Sequence, residues 1–216
     1  MRFAHINSVI PDSKLYILPC VSGFEFFDAY RFDSLMEKVY NGATLYVSLK
    51  DPYINGYDKL FGAELISKYN SSSTKQFSFN GTDFNISSPA TVELKPISAE
   101  VLAKDSNGNP VFLKNNYGKG TVFLLTCPLE SHIATISNAP DEYDYYKLYT
   151  PLTKEKSVYS NNKNVFVTKH DNLYVAINFS DKTVENAVVL NGDCRIICGN
   201  PKQMLPFSVC VFEANV

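Results

Sequence analysis

Apolar positions gather in short runs over the first two thirds of the chain and alternate with polar ones after that. Lys14-Leu15-Tyr16-Ile17-Leu18, closed by Pro19, reads as a buried strand. A loop rich in Phe and acid follows, Gly23 to Asp28. From Arg31 to Tyr40, the residues Phe32, Leu35, Met36 and Val39 recur at three- and four-residue spacing, which predicts a helix with one apolar face. Asp28 or Asp33 is placed to cap its start, and Asn41-Gly42 stops it. Thr44 to Leu49 is a second apolar run. Strand, helix and strand with short joints predict a parallel pair with a right-handed crossover.

Tyr57 to Gly62 reads as a short helix closed by glycine. Between Asn70 and Pro96 the pattern turns to β-like fragments at Gln76 to Phe79, Phe84 to Ile86 and Thr91 to Leu94, with Ser71-Ser72-Ser73 as a polar loop tip. Ala99 to Ala103 and Pro110 to Lys114 flank Asp105-Ser106-Asn107-Gly108-Asn109, a hairpin turn. A second turn, Asn116 to Gly120, leads into the strand Thr121 to Thr126. Asp141 to Tyr149 is acidic, aromatic and predicted helical, with Pro151 as its stop. Beyond it lie five β-runs: Val165 to Thr168, Leu173 to Asn178, Ala187 to Leu190, Arg195 to Ile197 and Ser208 to Phe212. Turn residues at each joint, about ten residues apart, indicate a small antiparallel sandwich. The expectation is an α/β domain over 1–152 and an all-β domain over 153–216.

Composition narrows the function classes. The 216 residues carry a formal net charge of −2 and no run of Lys or Arg longer than two, so no concentrated basic face exists for nucleic acid. No apolar run is long enough to span a bilayer, and the N-terminus lacks the apolar stretch of a signal peptide. If Met1 is the natural start, a cytoplasmic location is expected. The 14 Tyr and 15 Phe suit strands and β-rich cores, or stacking on sugars. Five cysteines form no CxxC pair and stand near no His at metal spacing. Buried free thiols account for them, and neither a metal nor a cofactor is expected. The Asn-X-Ser/Thr matches at Asn70, Asn80, Asn85 and Asn178 carry no weight without secretion.

Open α/β sheets place their sites beyond the C-terminal ends of the parallel strands. There the chain delivers Cys20, Ser22 and Glu25, then Ser48 and Asp51, then Thr126, Cys127, Glu130 and His132. A Cys–His–Glu trio is available from Cys20 or Cys127 with His132 and Glu130. Neither cysteine has the small neighbours of a nucleophile elbow, since Val21 and Pro128 stand beside them. Sugar hydrolysis needs two carboxylates roughly 5 to 9 Å apart, and nothing local pairs Glu25, Asp28, Glu64, Glu93 or Glu130. An eightfold barrel takes about 250 residues and does not fit.

Three stretches together resemble a known family. Lys14 to Pro19, a helix, and Asn41-Gly42-Ala43-Thr44-Leu45-Tyr46-Val47-Ser48 resemble the opening of a degenerate, flavodoxin-like amidotransferase-like domain, with Gly42-Ala43 where Gly-Gly is common. Tyr117 to Thr126 resembles its later glycine-lysine-glycine strand. Leu173 to Ser180 and Leu205 to Val209 resemble the small β-domain that closes many glycosidases. The order is similar to the region after the catalytic barrel in family-42-type β-galactosidases and related barrel glycoside hydrolases. The resemblance implies a non-catalytic accessory region, because both catalytic carboxylates of that family lie in the barrel. Its implied partners are a catalytic barrel or a second subunit, and carbohydrate as a further ligand. By analogy the loops Gly23 to Asp28 and Cys127 to His132 border a neighbouring site. This singles out Phe24, Glu25, Phe26, Phe27, Tyr30, Glu130 and His132 as interface or site-bordering candidates. Two other functions fit the residues: a thiol hydrolase using Cys20 or Cys127, and a carbohydrate-binding module with Tyr143, Tyr145, Tyr146 and Tyr149 as its stacking platform.

Overall fold

The computed structural model describes residues 8–23, 29–136, 144–152, 158–160 and 162–214. The chain folds as two compact units, 1–152 and 153–216. The first unit contains β1 (Leu15–Val21), α1 (Ala29–Tyr40), β2 (Thr44–Leu49), β3 (Ala63–Phe79), β4 (Thr82–Pro96), β5 (Glu100–Lys104), β6 (Pro110–Tyr117), β7 (Gly120–Leu125), α2 (Leu129–Thr135) and a 3-10 helix at Tyr145–Leu152.

A five-stranded sheet in the order β1-β2-β7-β6-β5 forms its centre. β1, β2 and β7 run parallel, whereas β6 pairs antiparallel with β7 and β5 antiparallel with β6. Every residue of β2 is buried, as befits a strand flanked on both sides and covered on both faces. α1 packs Leu35, Met36 and Val39 into one face of the unit together with Leu45, Val47, Val122 and Leu124. Each such side chain contributes about 1.5–3 kcal/mol by leaving water. Gly42, at φ +125°, ends the helix, and Gly120 lies so close to it that a Cβ there would meet Val39 O at 2.0 Å.

The second face corrects the predicted fold class. A flavodoxin-like domain needs helical crossovers on both faces of a parallel sheet, and among the described residues only α1 makes one. The long segment between β2 and β7 is instead largely strand. β3 and β4 form one long antiparallel ribbon, and β4 alternates exposed and buried positions with period two from Phe84 to Ala90. Val92 and Leu94 near its base join the α1 side, while Phe77, Phe84 and Ile86 beyond it join Tyr46, Phe112, Phe123 and Leu125. A register break at Asn70/Ser73 lies between these two sets, and another at Leu65/Ser67 lies at the base beside Leu94, where bulges bend a ribbon. The unit is therefore a mixed sheet clasped by a β-ribbon. Ser71-Ser72-Ser73 falls inside β3 and not at a loop tip, and Tyr57 to Leu60 forms turns instead of a helix.

The second unit holds β8 (Val158–Tyr159), β9 (Val165–His170), β10 (Leu173–Asn178), β11 (Val184–Glu185), β12 (Val189–Leu190), β13 (Cys194–Cys198), β14 (Gln203–Met204) and β15 (Val209–Ala214). Its one larger sheet, antiparallel, has the order β13-β15-β10-β9; β11-β14 and β12-β8 are two-stranded ribbons. This also differs from the expected pair of stacked sheets. Tyr174, Ala176, Cys210 and Phe212 on the inner face pack with Val158, Val184, Val188 and Met204. Asn178, fully buried, donates through Nδ2 to the carbonyls of Lys182, Met204 and Leu205, and its Oδ1 accepts from the Ser180 amide and hydroxyl.

Candidate functional site

The parallel strands β1, β2 and β7 deliver polar groups to their C-terminal ends, where such sheets build sites. β1 lies at the sheet edge, so Pro19 costs no ladder bond. The β1–β2 register then slips between Leu18 and Val21. Cys20, within the slip, takes φ +51°, a left-handed conformation costing about 1–2 kcal/mol for a residue with a Cβ. Its N–H turns out of the ladder and donates to Ser48 Oγ at 2.7 Å.

Glu130, in the first turn of α2, is the hub of the arrangement. Its Oε2 accepts from the Ser48 hydroxyl and from the Cys20 thiol, the latter at 3.4 Å. Its Oε1 accepts from the Tyr149 hydroxyl at 2.7 Å. The Ser131 amide donates to Cys20 Sγ at 3.1 Å, so the sulfur both gives and receives a hydrogen bond. Tyr46 stands two residues before Ser48 on the same face of β2. Its hydroxyl is wholly buried beside Glu130 and Tyr149, yet it closes no hydrogen bond of normal geometry. Burial, then the nearby Glu130 carboxylate, push the Tyr46 and Tyr149 phenols far up, so both stay protonated. The Tyr46 and Tyr149 rings meet edge-on at 5.4 Å.

The structure thus joins Cys20, Ser48 and Glu130 but leaves out two predicted members. Cys127 is completely buried, and burial raises its thiol well above the ordinary range, which disqualifies it as a nucleophile. His132 turns away from the sulfur. Its Nδ1 accepts from the Ser87 amide at 3.3 Å and its Nε2 lies 3.1 Å from the Tyr145 hydroxyl, a pairing that suits the Nε2–H tautomer. Burial lowers its pKa, partly opposed by a hydrogen bond to the Asn85 backbone.

Beside the cluster, Asp51 ties the two strand ends together, accepting from the Ser22 hydroxyl and the Gly23 and Tyr53 amides. Burial alone would raise its carboxyl; these hydrogen bonds outweigh it and hold the pKa below the ordinary value. Glu64 and Glu93 sit on the ribbon, paired with Lys95 and Ser67. Phe24, Glu25, Phe26, Phe27 and Asp28 lie outside the described residues, as does Tyr143. Tyr30 is 83% exposed on the first turn of α1. The supposed tyrosine platform is not one: Tyr145 is buried against Phe84, and Tyr149 belongs to the Glu130 cluster. Two clefts of about 490 and 410 Å³ lie elsewhere, one at the opposite end of β1 and β2 between Asp12, Tyr16 and Lys38, the other beside Phe77 and Lys104. No group of three metal-ligating side chains occurs among the described residues, and no helix among them is long and apolar enough to cross a membrane.

No protein-family model matches the chain, and none of the curated proteins does. Solved structures do match in fold. The β-galactosidase of the Antarctic haloarchaeon Halorubrum lacusprofundi superposes with TM-score 0.58 at 13% identity, over 97% of this chain and 32% of its own. That of the psychrophilic Marinomonas ef1 gives 0.57 at 15% identity, over 97% of this chain and 30% of its own. The exo-β-1,4-mannosidase Op5Man5 from Opitutaceae bacterium strain TAV5 gives 0.58 at 19% identity, over 69% of this chain and 28% of its own. The fold is therefore that of a portion of these glycoside hydrolases, and the chain spans about 30% of their length.

Proposed function

We infer that this chain is a non-catalytic accessory region of a carbohydrate-active enzyme, a glycoside hydrolase whose chemistry resides in a catalytic barrel or a second subunit. The observation that carries this reading is the lopsided coverage of the fold match. Nearly the whole chain superposes on β-galactosidases, yet it accounts for less than a third of each. The chemistry of the described residues agrees with it. Glu130, the one carboxylate at the strand ends held by several side chains, is taken up by Ser48, Cys20 and Tyr149, with no second carboxylate in that network to share acid and base roles.

A docking role also suits the outer face of the second unit's sheet. Phe166, Ile177 and Val209 line up across β9, β10 and β15, with Phe166 and Val209 about half exposed. On the first unit, the exposed Tyr30 ring and the α2 turn bearing Glu130 and His132 are the candidate borders toward a partner.

Two measurements test the reading. An immunoblot of source cells with antibody to this chain should give a band larger than 24.2 kDa by about a barrel's worth of residues, or capture a partner of that size. The purified chain should hydrolyse neither nitrophenyl β-galactoside nor nitrophenyl β-mannoside. Turnover that disappears in Glu130→Gln would overturn the proposal.

A further inference from the structure

We propose that the outer face of the sheet formed by β9, β10 and β15 is the surface on which two copies of this chain stack, sheet against sheet. The inference rests on the docking role proposed for that face and commits it to one occupant. Its first ground is the strand pattern. β10 buries Tyr174, Ala176 and Asn178 on the inner face, and the alternate, outward positions are Leu173, Val175 and Ile177. A sheet that meets water on one face carries polar groups at such positions. In β15, Val211 and Val209 lie opposite Val175 and Ile177 and continue the apolar rows. A sheet apolar on both faces is one built to be covered on both.

The second ground is one end of that face. Phe166 of β9 is the cross-strand partner of Ile177. Phe179 follows Ile177 by two residues and Phe207 precedes Val209 by two, so alternation carries both rings to the same side. The three segments are tied together: the Phe179 amide donates to the Asn164 carbonyl at 2.8 Å, and the Phe207 amide to the Ser180 carbonyl at 3.1 Å. Phe166, Phe179, Leu205, Phe207 and Val209 are nevertheless 46% to 69% exposed. Phe207 also holds φ +52°, a left-handed conformation unfavourable for a bulky residue. Such strain is kept where the side chain it presents has a use.

Size and charge select a second copy. Aromatic side chains offer about 150–250 Å² each, and with Leu205 and Val209 the three rings leave about 400–550 Å² of apolar surface open to water. A standard interface takes about 800 Å² per partner, about 65% of it apolar between like subunits. One such face on each copy therefore meets the need. The turn after Phe179 carries Asp181 and Lys182, both exposed and of opposite sign, so its charge there does not repel its own image across a two-fold axis. A flat apolar sheet face is its own complement, since two of them stack about 10 Å apart.

Sedimentation equilibrium of the purified full chain across micromolar concentrations should fit a monomer–dimer equilibrium, with a dimer of twice 24.2 kDa. Phe207→Asn is the decisive variant. Asn accepts the left-handed backbone more readily than Phe, so the unit keeps its fold, read by an unchanged circular dichroism spectrum, while the face loses its most exposed ring. The dimer should weaken by at least about tenfold, because the change acts on both sides of a two-fold interface. Ile97→Ser removes an equally exposed apolar side chain from the first unit and should leave the dimer unchanged. A wild-type chain that stays monomeric throughout would overturn the second copy as occupant. A dimer that Phe207→Asn leaves intact, or that both variants weaken alike, would overturn the choice of face. Neither result touches the accessory reading, which rests on the turnover and immunoblot measurements.

Discussion

Replacing Tyr46 by Phe should stabilise the protein. The Tyr46 ring fills space among Phe123, Leu125 and Tyr149 at the heart of the first unit, and its buried hydroxyl closes no hydrogen bond of normal geometry with its neighbours Glu130 and Tyr149. Leaving such a group unsatisfied costs about 1–3 kcal/mol. Phe keeps the ring and its edge-on contact with Tyr149. The space vacated by one oxygen, about 15 Å³, costs about 0.4 kcal/mol at ~24 cal/mol per Å³. The net expectation is a gain of about 0.6–2.6 kcal/mol. At roughly 2–4 °C per kcal/mol for a domain of this size, the first unit's melting midpoint should rise by roughly 1–10 °C. Differential scanning calorimetry of the whole chain at neutral pH, wild type against Tyr46→Phe, reads this directly. A midpoint lowered by even a degree would mean that the hydroxyl makes a net favourable bond in solution, and the reasoning about an unpaired group would fall.

Asn178→Ala should do the reverse in the second unit. It removes the side-chain partner of the Met204 and Leu205 carbonyls and of the Ser180 amide, and each such group left buried and unpaired costs about 1–3 kcal/mol. A unit spanning 153–216 holds only about 3–10 kcal/mol, so its calorimetric transition should vanish or fall sharply while the first unit's persists; an unshifted second transition would refute this. The depressed pKa of His132 makes the folded form prefer neutral imidazole. Its stabilising contribution is present above the unfolded value near 6.5 and is lost as pH falls through the lower folded value. Wild type should therefore lose more of its melting midpoint than His132→Gln between about pH 7 and 5, and parallel curves would contradict the assignment.

Local patterns fixed several elements without any structure. The i, i+3, i+4 spacing of Phe32, Leu35, Met36 and Val39 announces α1, and the largely apolar run Leu45-Tyr46-Val47 announces β2, because helix and buried strand impose those patterns on one chain segment alone. The turn chemistry of Asp105 to Asn109 likewise announces the β5–β6 hairpin, where Asp105 accepts from the amides of Asn107 and Asn109. At the site, strand-end reasoning brought forward Cys20, Ser48 and Glu130, since a sheet's polarity is legible from its first βα unit.

Tertiary structure decided the rest. Whether the segment after β2 would cover the second sheet face with helices or with a ribbon depends on pairings such as Lys75↔Ile86 and Ser67↔Glu93, which join residues on separate strands. Alternation hints at strands there without naming a partner or a register. The direction of His132 rests on Ser87, 45 residues away in the chain, and the membership of Tyr149 in the Glu130 cluster rests on how the 3-10 helix docks against β2. Burial separated the two candidate thiols, raising Cys127 out of use and leaving Cys20 partly exposed with its thiol hydrogen-bonded to Glu130. Periodicity is a property of neighbours along the chain. Partner choice, side-chain direction and burial belong to residues brought together from far apart, and only the folded chain states them.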